Sequence, residues 1–281
     1  MSFSITGKTA IVTGAASGIG LAIVRHFADK GANVMCADED EARLEAELGD
    51  AARGDGPIRL FAGDLCQKLT IANLLSATLD AFDRVDILVN ASRRMALSDP
   101  LNPDADEVAD LFRQNMLTAL RLTQMTAKRM IQSAERGADA DPDGGAGAGD
   151  GRGGMVGSII NLSSSAAQIT QAELLGYSIS CAAVEQMTRS MAVALAPRRI
   201  RVNAVAFGSV MSASLQTALK GNSAARDQIV ACTPLGRIAG PDELAETVQF
   251  LASDASAFMT GQVLTLDGGR GLLDPVKLPA H

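Results

Sequence analysis

The sequence predicts an α/β protein with one doubly wound parallel sheet in a single domain. Short apolar runs alternate with longer amphipathic segments along nearly all of the 281 residues, and each gap between runs is long enough for a helix. Runs that are apolar on both faces, such as residues 87–89, are typical of strands covered by helices on both sides. The predicted strands are residues 8–13, 33–37, 58–62, 86–90, 156–162, 201–206 and 263–266.

Composition and charge favour a protein that handles small molecules. Apolar residues make up 47% of the chain and charged residues 20%, as in ordinary globular proteins. The net charge is −7 and the basic residues are scattered, so we expect neither a nucleic-acid partner nor a membrane surface. The N-terminus carries no basic and apolar leader, which predicts a cytoplasmic protein. The four widely spaced cysteines predict free thiols.

One segment breaks the alternation. Residues 137–154 consist almost entirely of Gly, Ala and Asp, which cannot bury enough apolar surface to offset the entropy of ordering, so we expect a flexible insertion. Its Asp139, Asp141, Asp143 and Asp150 match the spacing of a calcium loop. The twelfth position is Asp instead of Glu, however, and no helix pattern follows. We therefore predict no metal site.

A glycine-rich turn follows the first predicted strand and precedes the amphipathic residues 21–30. Glycines let the backbone approach a pyrophosphate without Cβ clashes, and the free N–H groups at the start of a helix stabilise its charge. Strand, turn and helix in this order predict a Rossmann-type dinucleotide site. The candidate contacts to the cofactor are Gly14, Ser17, Gly18, Ile19 and Gly20.

The glycine spacing resembles that of the short-chain dehydrogenase/reductase family. The turn reads Gly-x-x-x-Gly-x-Gly and is preceded by Thr13, and further similarities extend over about residues 7–269. The resemblance implies one NAD(P)-binding domain over residues 1–281, a small-molecule substrate, and a homodimer or homotetramer.

Asp38 closes the second predicted strand, 18 residues after Gly20. A carboxylate there accepts hydrogen bonds from the adenosine ribose hydroxyls and repels a 2′-phosphate. Ser17 stands where relatives that use NADP often carry a basic residue, and neither Ala37 nor Glu39 supplies a positive charge. These features favour NAD over NADP. The alternative is that Asp38 is a solvated acid at a strand end, because residues 39–41 are also acidic.

Three further positions resemble cofactor contacts of the family. Asp64 and Leu65 follow the third strand, where the family has an adenine-contacting Asp. The alternative for Asp64 is a helix N-cap. Asn90 ends the fourth strand, but the family's Asn-Asn-Ala-Gly reads Asn-Ala-Ser-Arg here and ends at Arg93. The long Arg93 side chain therefore either points to solvent or enters the site.

Three of the family's four catalytic positions are matched. Tyr177, the only tyrosine, corresponds to the residue that moves the proton, and Ser164, 13 residues earlier, to the residue that orients the substrate oxygen. Asn115 corresponds to the helix Asn that supports a proton-relay water. The alternatives are a polar residue at a strand end for Ser164 and a packed aromatic ring for Tyr177.

The fourth catalytic position differs. The family's Tyr-x-x-x-Lys reads Tyr-Ser-Ile-Ser-Cys, so Cys181 stands where an ammonium group lowers the pKa of the tyrosine. At about 5 Å and an effective dielectric constant of ~20, such a charge favours the phenolate by ~3 kcal/mol, or roughly two pKa units. Its loss should slow the proton step. The alternative is that Cys181 is simply a small buried helix residue.

Val210 and Ser212 fall where the family holds the nicotinamide carboxamide, after a turn in which Phe207 replaces a proline. Residues 209–236 correspond to the family's lid and pocket wall, but their composition names no substrate. The sequence thus predicts an NAD(H)-dependent oxidoreductase that acts on a secondary alcohol or ketone. The alternative is a catalytically impaired relative that binds a nucleotide or a partner.

Overall fold

A seven-stranded parallel sheet forms the centre of the molecule. We describe it from a computed structural model, which covers residues 2–104, 106–140 and 154–274. The strand order is β3-β2-β1-β4-β5-β6-β7, which confirms the predicted doubly wound α/β fold in one domain. The strands are β1 (Thr9–Thr13), β2 (Asn33–Asp38), β3 (Ile58–Ala62), β4 (Ile87–Asn90), β5 (Gly157–Ser164), β6 (Ile200–Phe207) and β7 (Val263–Leu266).

The strand bounds agree closely with the sequence prediction. The largest difference is at β5, which was predicted to end at residue 162 and ends at Ser164. Two polar residues extend it because their backbones pair with Ala206 and Phe207 of β6. The apolar pattern carries no signal for this backbone pairing.

Helices cover both faces of the sheet. Alternate residues of β1 explain why: Ala10 and Val12 belong to a core with α1, α2 and α9, whereas Ile11 belongs to a core with α3, α5 and α6. The helices are α1 (Gly18–Asp29), α2 (Glu41–Ala52), α3 (Lys68–Phe82), α4 (Val108–Leu111), α5 (Thr118–Ala140), α6 (Leu175–Leu195), α7 (Ala213–Leu219), α8 (Ser223–Ala231) and α9 (Pro241–Ala252).

The predicted insertion at 137–154 begins later than the composition indicates. Helix α5 continues to Ala140, so the first four residues of the segment are helical, and residues 141–153 lie outside the described residues. The calcium-loop pattern falls mostly on that undescribed part. In the part of the chain that the structure describes, all four cysteines are free thiols. Within the same ranges, no helix combines the length and the hydropathy needed to cross a bilayer.

Candidate active site

The candidate site lies at the carboxyl edge of the sheet. The strand order reverses between β1 and β4, because β2 and β3 lie on one side of β1 and the later strands on the other. At such a switch point the loops diverge and leave a crevice in which open α/β sheets bind ligands. The glycine turn leaves β1 at this point, Asn90 ends β4, and Ser164 ends β5.

The glycine turn is fixed by close backbone contacts. Gly14 and Gly18 have φ values of +67° and +53°, which L-residues rarely adopt. A Cβ on Gly20 would lie 2.0 Å from the Gly14 carbonyl oxygen, so only glycine fits there. Helix α1 begins at Gly18, and the Ser17 side chain makes no capping hydrogen bond. The first amides of α1 are therefore not capped by that side chain.

Thr13 connects this turn to the loop after β4 by hydrogen bonds. Its hydroxyl accepts hydrogen bonds from the backbone N–H groups of Ala91 and Ser92, both at 3.0 Å. The hydroxyl is buried with its residue, which is 1% exposed. Sequence reasoning identified Thr13 only as part of the motif and did not find this structural role.

Asp38 lies beside the glycine turn. Its Oδ2 accepts a hydrogen bond from the Ala16 N–H at 2.9 Å, and its Oδ1 accepts one from the Asp40 N–H at 3.1 Å. The residue is half-buried, whereas Glu39 next to it is exposed. The Asp38 carboxylate therefore supports the turn, and its role toward a cofactor stays a prediction.

Asp64 and Leu65 occupy different environments. Asp64 is exposed, and its Oδ1 accepts a hydrogen bond from the Cys66 N–H at 2.8 Å, which lowers the pKa of the Asp64 carboxyl. Leu65 is buried in the core. Helix α3 begins later, with Gln67 at the N-cap position, so Asp64 is not its N-cap. The Gly63 N–H, bonded to the Asp38 carbonyl, keeps this loop next to the end of β2.

Asn90 belongs to a buried chain of polar side chains. Its amide nitrogen donates to Asn161 Oδ1 at 2.7 Å, and Asn161 in turn donates to the Thr188 hydroxyl on α6. The Asn90 Oδ1 atom is buried and has no hydrogen-bond partner. A buried acceptor without a donor costs free energy, so this atom is available to accept a hydrogen bond from a ligand or a water molecule.

Tyr177 and Ser164 line the same side of the crevice. Tyr177 lies in the first turn of α6 and is 3% exposed, and its side chain lines the same solvent-open cleft as that of Ser164. Burial raises the pKa of Tyr177, and the positive charge of Arg93 opposes this increase. The fold therefore brings two residues that are 13 positions apart in the sequence to one cleft.

Asn115 lies in a π-helical turn that the sequence did not predict. The turn spans Phe112–Leu117, between α4 and α5, and such turns occur mostly at functional sites. Both polar atoms of the Asn115 side chain bind the Arg94 backbone, and its nitrogen also donates to the Ser180 hydroxyl at 3.0 Å. Asn115 therefore ties the loop after β4 to α6.

Two cavities flank Tyr177. The first, the inner cavity, has a volume of about 10 Å³, which is about the room that one water molecule needs. The second, the outer cleft, has a volume of about 220 Å³ and opens to solvent. Residues lining the inner cavity include Asn90, Arg93, Asn115, Asn161, Tyr177 and Cys181. Residues lining the outer cleft include Arg93, Ser164, Tyr177, Val210, Ser212 and Arg270.

Cys181 faces the inner cavity one helical turn after Tyr177. It is 4% exposed, and burial raises the pKa of its thiol, so the group is neutral at physiological pH. The neutral thiol supplies no positive charge to Tyr177.

Arg93 enters the site instead of pointing to solvent. Its guanidinium carbon lies 4.1 Å from the centre of the Phe207 ring and 5.9 Å from the centre of the Tyr177 ring. A guanidinium nitrogen also donates to the Ser163 carbonyl at 3.3 Å. Arg93 lines both cavities and forms part of the wall between them.

The far wall of the outer cleft follows β6. Val210 is buried, and Ser212 accepts a hydrogen bond from the Leu215 N–H as the N-cap of α7. Between them and β6, Ser209 has a φ of +60°, an unusual value for a residue with a side chain. A Cβ on Gly208 would lie 2.4 Å from the Ser165 hydroxyl oxygen, so any other residue there would have to displace that side chain.

The donor and acceptor set fits a dinucleotide. The uncapped start of α1 offers amides to a pyrophosphate, Asp38 offers a carboxylate to ribose hydroxyls, and Asn90 Oδ1 is a buried acceptor without a donor. Within the described ranges, no cluster of His, Cys, Asp or Glu side chains could hold a metal ion.

Comparisons with known proteins cover almost the whole chain. A protein-family model described as Enoyl-(Acyl carrier protein) reductase matches residues 14–270. The chain is 31% identical over 268 residues to the 3-oxoacyl-acyl-carrier-protein reductase of Thermotoga maritima, covering 94% of this chain and 98% of the relative. It is 32% identical over 270 residues to the D-threitol dehydrogenase of Mycolicibacterium smegmatis, covering 95% and 94%.

A solved structure has the same fold. It is the crystal structure of a proposed gluconate dehydrogenase from Agrobacterium tumefaciens, with a TM-score of 0.82 and 26% sequence identity. The superposition covers 97% of this chain and 99% of the other.

Proposed function

The chain belongs to the short-chain dehydrogenase/reductase family, and on this premise we propose that it transfers hydride between NAD(H) and a secondary alcohol or ketone. Members of the family use NAD or NADP, and the relatives named above are a 3-oxoacyl-acyl-carrier-protein reductase and a D-threitol dehydrogenase, which are both oxidoreductases. The observation that carries the proposal is that Tyr177 and Ser164 line one cleft at the carboxyl edge of the sheet, beside the glycine turn.

The cofactor is held by the glycine turn and the end of β2. Gly14, Gly18, Ile19 and Gly20 let the pyrophosphate approach the start of α1, with Ser17 at its N-cap position. Asp38 accepts hydrogen bonds from the adenosine ribose and disfavours a 2′-phosphate, which supports NAD over NADP. Around these groups we assign Asp64 and Leu65 to the adenine, and Asn90, Tyr177, Val210 and Ser212 to the nicotinamide half.

The chemistry at the substrate oxygen belongs to Tyr177 and Ser164. When bound, the nicotinamide supplies or accepts the hydride. Tyr177 donates its phenolic proton to the carbonyl oxygen during reduction and takes a proton from the hydroxyl during oxidation. The Ser164 hydroxyl holds that oxygen beside the phenol. Asn115 lines the inner cavity, whose volume suits one relay water next to Tyr177.

The alternative proposal is a nucleotide-binding protein without turnover. It is favoured by Cys181, which is neutral where the family pattern has a lysine, and by Arg93, which lies across the site. In this case the glycine turn and Asp38 still bind the nucleotide, but proton transfer at Tyr177 is too slow to give measurable turnover.

An absorbance assay separates the two proposals. The purified chain is mixed with NADH and a panel of ketones, or with NAD⁺ and secondary alcohols. We expect turnover that Tyr177→Phe lowers by roughly 10²–10⁴-fold, as for loss of a general acid. Ser178→Ala is the matched control, because the Ser178 hydroxyl on the same helix turn is buried without a partner. Nucleotide binding without turnover would favour the alternative, and equal loss in both variants would refute the role of Tyr177.

A further inference from the structure

Three positions where the sequence departs from the family pattern lie together in the fold. Arg93, Phe207 and Cys181 come from the loop after β4, the end of β6 and the second turn of α6, respectively. The Arg93 guanidinium carbon lies 4.1 Å from the centre of the Phe207 ring and 5.9 Å from the centre of the Tyr177 ring. Cys181 faces the same small cavity. A lysine is absent from α6 where the pattern has one, and a cation reaches Tyr177 from another element.

We propose that Arg93 is the residue that supplies the positive charge to Tyr177 in this chain and makes its hydroxyl a stronger acid. The proposal rests on the proposed role of Tyr177 as proton donor and acceptor. Arg93 does not itself transfer a proton in this proposal, and its charge acts on the reaction through the acidity of Tyr177. No bond changes are involved beyond the transfer of the phenolic proton to the substrate oxygen and its return.

The position of the Arg93 guanidinium is fixed from two sides. It donates to the Ser163 carbonyl at 3.3 Å, one residue before Ser164 on β5. Its guanidinium carbon lies over the Phe207 ring at 4.1 Å from the ring centre, and guanidinium binds aromatic faces more readily than ammonium does. Phe207, which stands at the position of the pattern's proline, is thus the aromatic ring on which the Arg93 guanidinium lies.

The charge of Arg93 is not neutralised locally. Among the described residues it forms no ion pair, and no carboxylate lines either cavity beside Tyr177. Glu185, two turns further along α6, accepts from the Ser163 hydroxyl at 3.1 Å and lies 3.8 Å from Arg189. Across the outer cleft the other charged residue is Arg270.

The segment over residues 106–111, which packs against the start of α6, carries three acids, and each has another partner. Asp106 accepts from the Val108 N–H, Glu107 pairs with Arg94 at 3.5 Å, and Asp110 pairs with Arg113 at 3.1 Å. Arg93 is therefore the charged group that lies over the phenol ring of Tyr177. Its positive charge opposes the effect of burial on the pKa of Tyr177.

The test uses the fact that the chain has one tyrosine and no tryptophan. The near-ultraviolet absorbance of tyrosinate therefore reports the ionisation of Tyr177 alone, without cofactor or substrate. In Arg93→Gln we expect the Tyr177 pKa to rise by about one to two units relative to the wild type. Arg93→Lys keeps the charge and should stay within about half a unit. Circular dichroism at each pH confirms that the chain is folded.

Two further variants complete the test. Arg94→Gln is the matched control, since Arg94 pairs with Glu107 and its side chain is 46% exposed, and it should leave the Tyr177 titration unchanged. Adding Cys181→Lys to Arg93→Gln should lower the Tyr177 pKa again, because it returns a cation from α6.

The proposal is overturned if Arg93→Gln and wild type titrate alike, or if Arg93→Gln and Arg94→Gln have the same effect. It is also overturned if wild-type Tyr177 stays neutral until the chain unfolds, because a cation acting on the phenol must bring its ionisation below that point. A chain that shows the expected titration but no turnover would refute the proposed function and leave the role of Arg93 in place.

Discussion

Replacing Asp38 with serine tests how the chain distinguishes NAD from NADP. Asp38 is half-buried at the end of β2, and its carboxylate accepts the Ala16 N–H at 2.9 Å. The substitution removes the charge and also weakens this support of the glycine turn. We therefore expect two effects of different sign: NADH binds more weakly, and NADPH loses a repulsive contact.

The size of the second effect follows from Coulomb's law. Two unit charges about 4 Å apart interact by about 1 kcal/mol in water and about 4 kcal/mol near a protein surface. For a half-buried carboxylate and a 2′-phosphate we take about 2–3 kcal/mol, which corresponds to a roughly 30- to 150-fold preference for NADH in the wild type. Loss of the charge-assisted hydrogen bond to Ala16 should destabilise the glycine turn by about 1.5–3 kcal/mol, which weakens the binding of NADH and NADPH alike and leaves the ratio of their Kd values to the charge.

The assay is a set of calorimetric titrations with NADH and NADPH, and the readout is the ratio of the two Kd values. Glu39→Gln is the matched control, because it removes the same charge one residue later from an exposed side chain. Asp38→Ser should bring the ratio close to one, whereas Glu39→Gln should leave it nearly unchanged. If the ratio of Kd values is the same in both variants, the argument is refuted. The total negative charge of this region, and not the Asp38 carboxylate, would then set the preference for NADH.

Three further predictions concern the scaffold of the site and are measured by chemical denaturation. Thr13→Val should lower the free energy of unfolding by about 1–3 kcal/mol, because two backbone N–H groups lose their acceptor. Thr9→Val, on the same strand, should leave it nearly unchanged, because the Thr9 hydroxyl is buried without a hydrogen-bond partner. Equal effects would contradict this reading. Gly20→Ala should lower the free energy of unfolding by about 3 kcal/mol or more and abolish nucleotide binding, since its Cβ would lie 2.0 Å from a carbonyl oxygen. The control Gly240→Ala should lower it by less than about 1 kcal/mol. Hydrogen bonds from Arg237 lower the pKa of Glu243 from 4.5 to about 2, so its stabilisation is complete above pH 4.5 and is lost as the pH falls to about 2. The stability gap between wild type and Glu243→Gln should therefore shrink over that acid range, and a gap independent of pH would count against the ion pair.

The fold was predictable because it depends on the average pattern of many residues. Seven apolar runs predicted seven strands, and the glycine turn identified the first β–α connection. The π-helical turn at Phe112–Leu117 was not predictable, because its backbone pattern depends on the contacts of Asn115 with the loop after β4. The flexible insertion at 137–154 stays a prediction, since α5 continues to Ala140 and residues 141–153 lie outside the described part of the chain.

The candidate site was predictable in its parts but not in its arrangement. Ser164 and Tyr177, which the family spacing singled out, line the same cleft. The direction of the Arg93 side chain was left open, because it is decided by the Phe207 ring and the Ser163 carbonyl, which are distant in sequence. The roles assigned to these residues, the choice of NAD and the homodimer or homotetramer stay predictions.

Calorimetric titration of the wild-type chain with NAD⁺, NADH, NADP⁺ and NADPH tests the central claim most directly. It needs no knowledge of the substrate and responds only to the dinucleotide site at the carboxyl edge of β1, β2 and β4. We predict saturable binding of NADH at one site per chain, at least about 30-fold tighter than that of NADPH. Absence of binding by all four nucleotides would contradict the account, and the Arg93 side chain that lies across the site would then be the first group to remove.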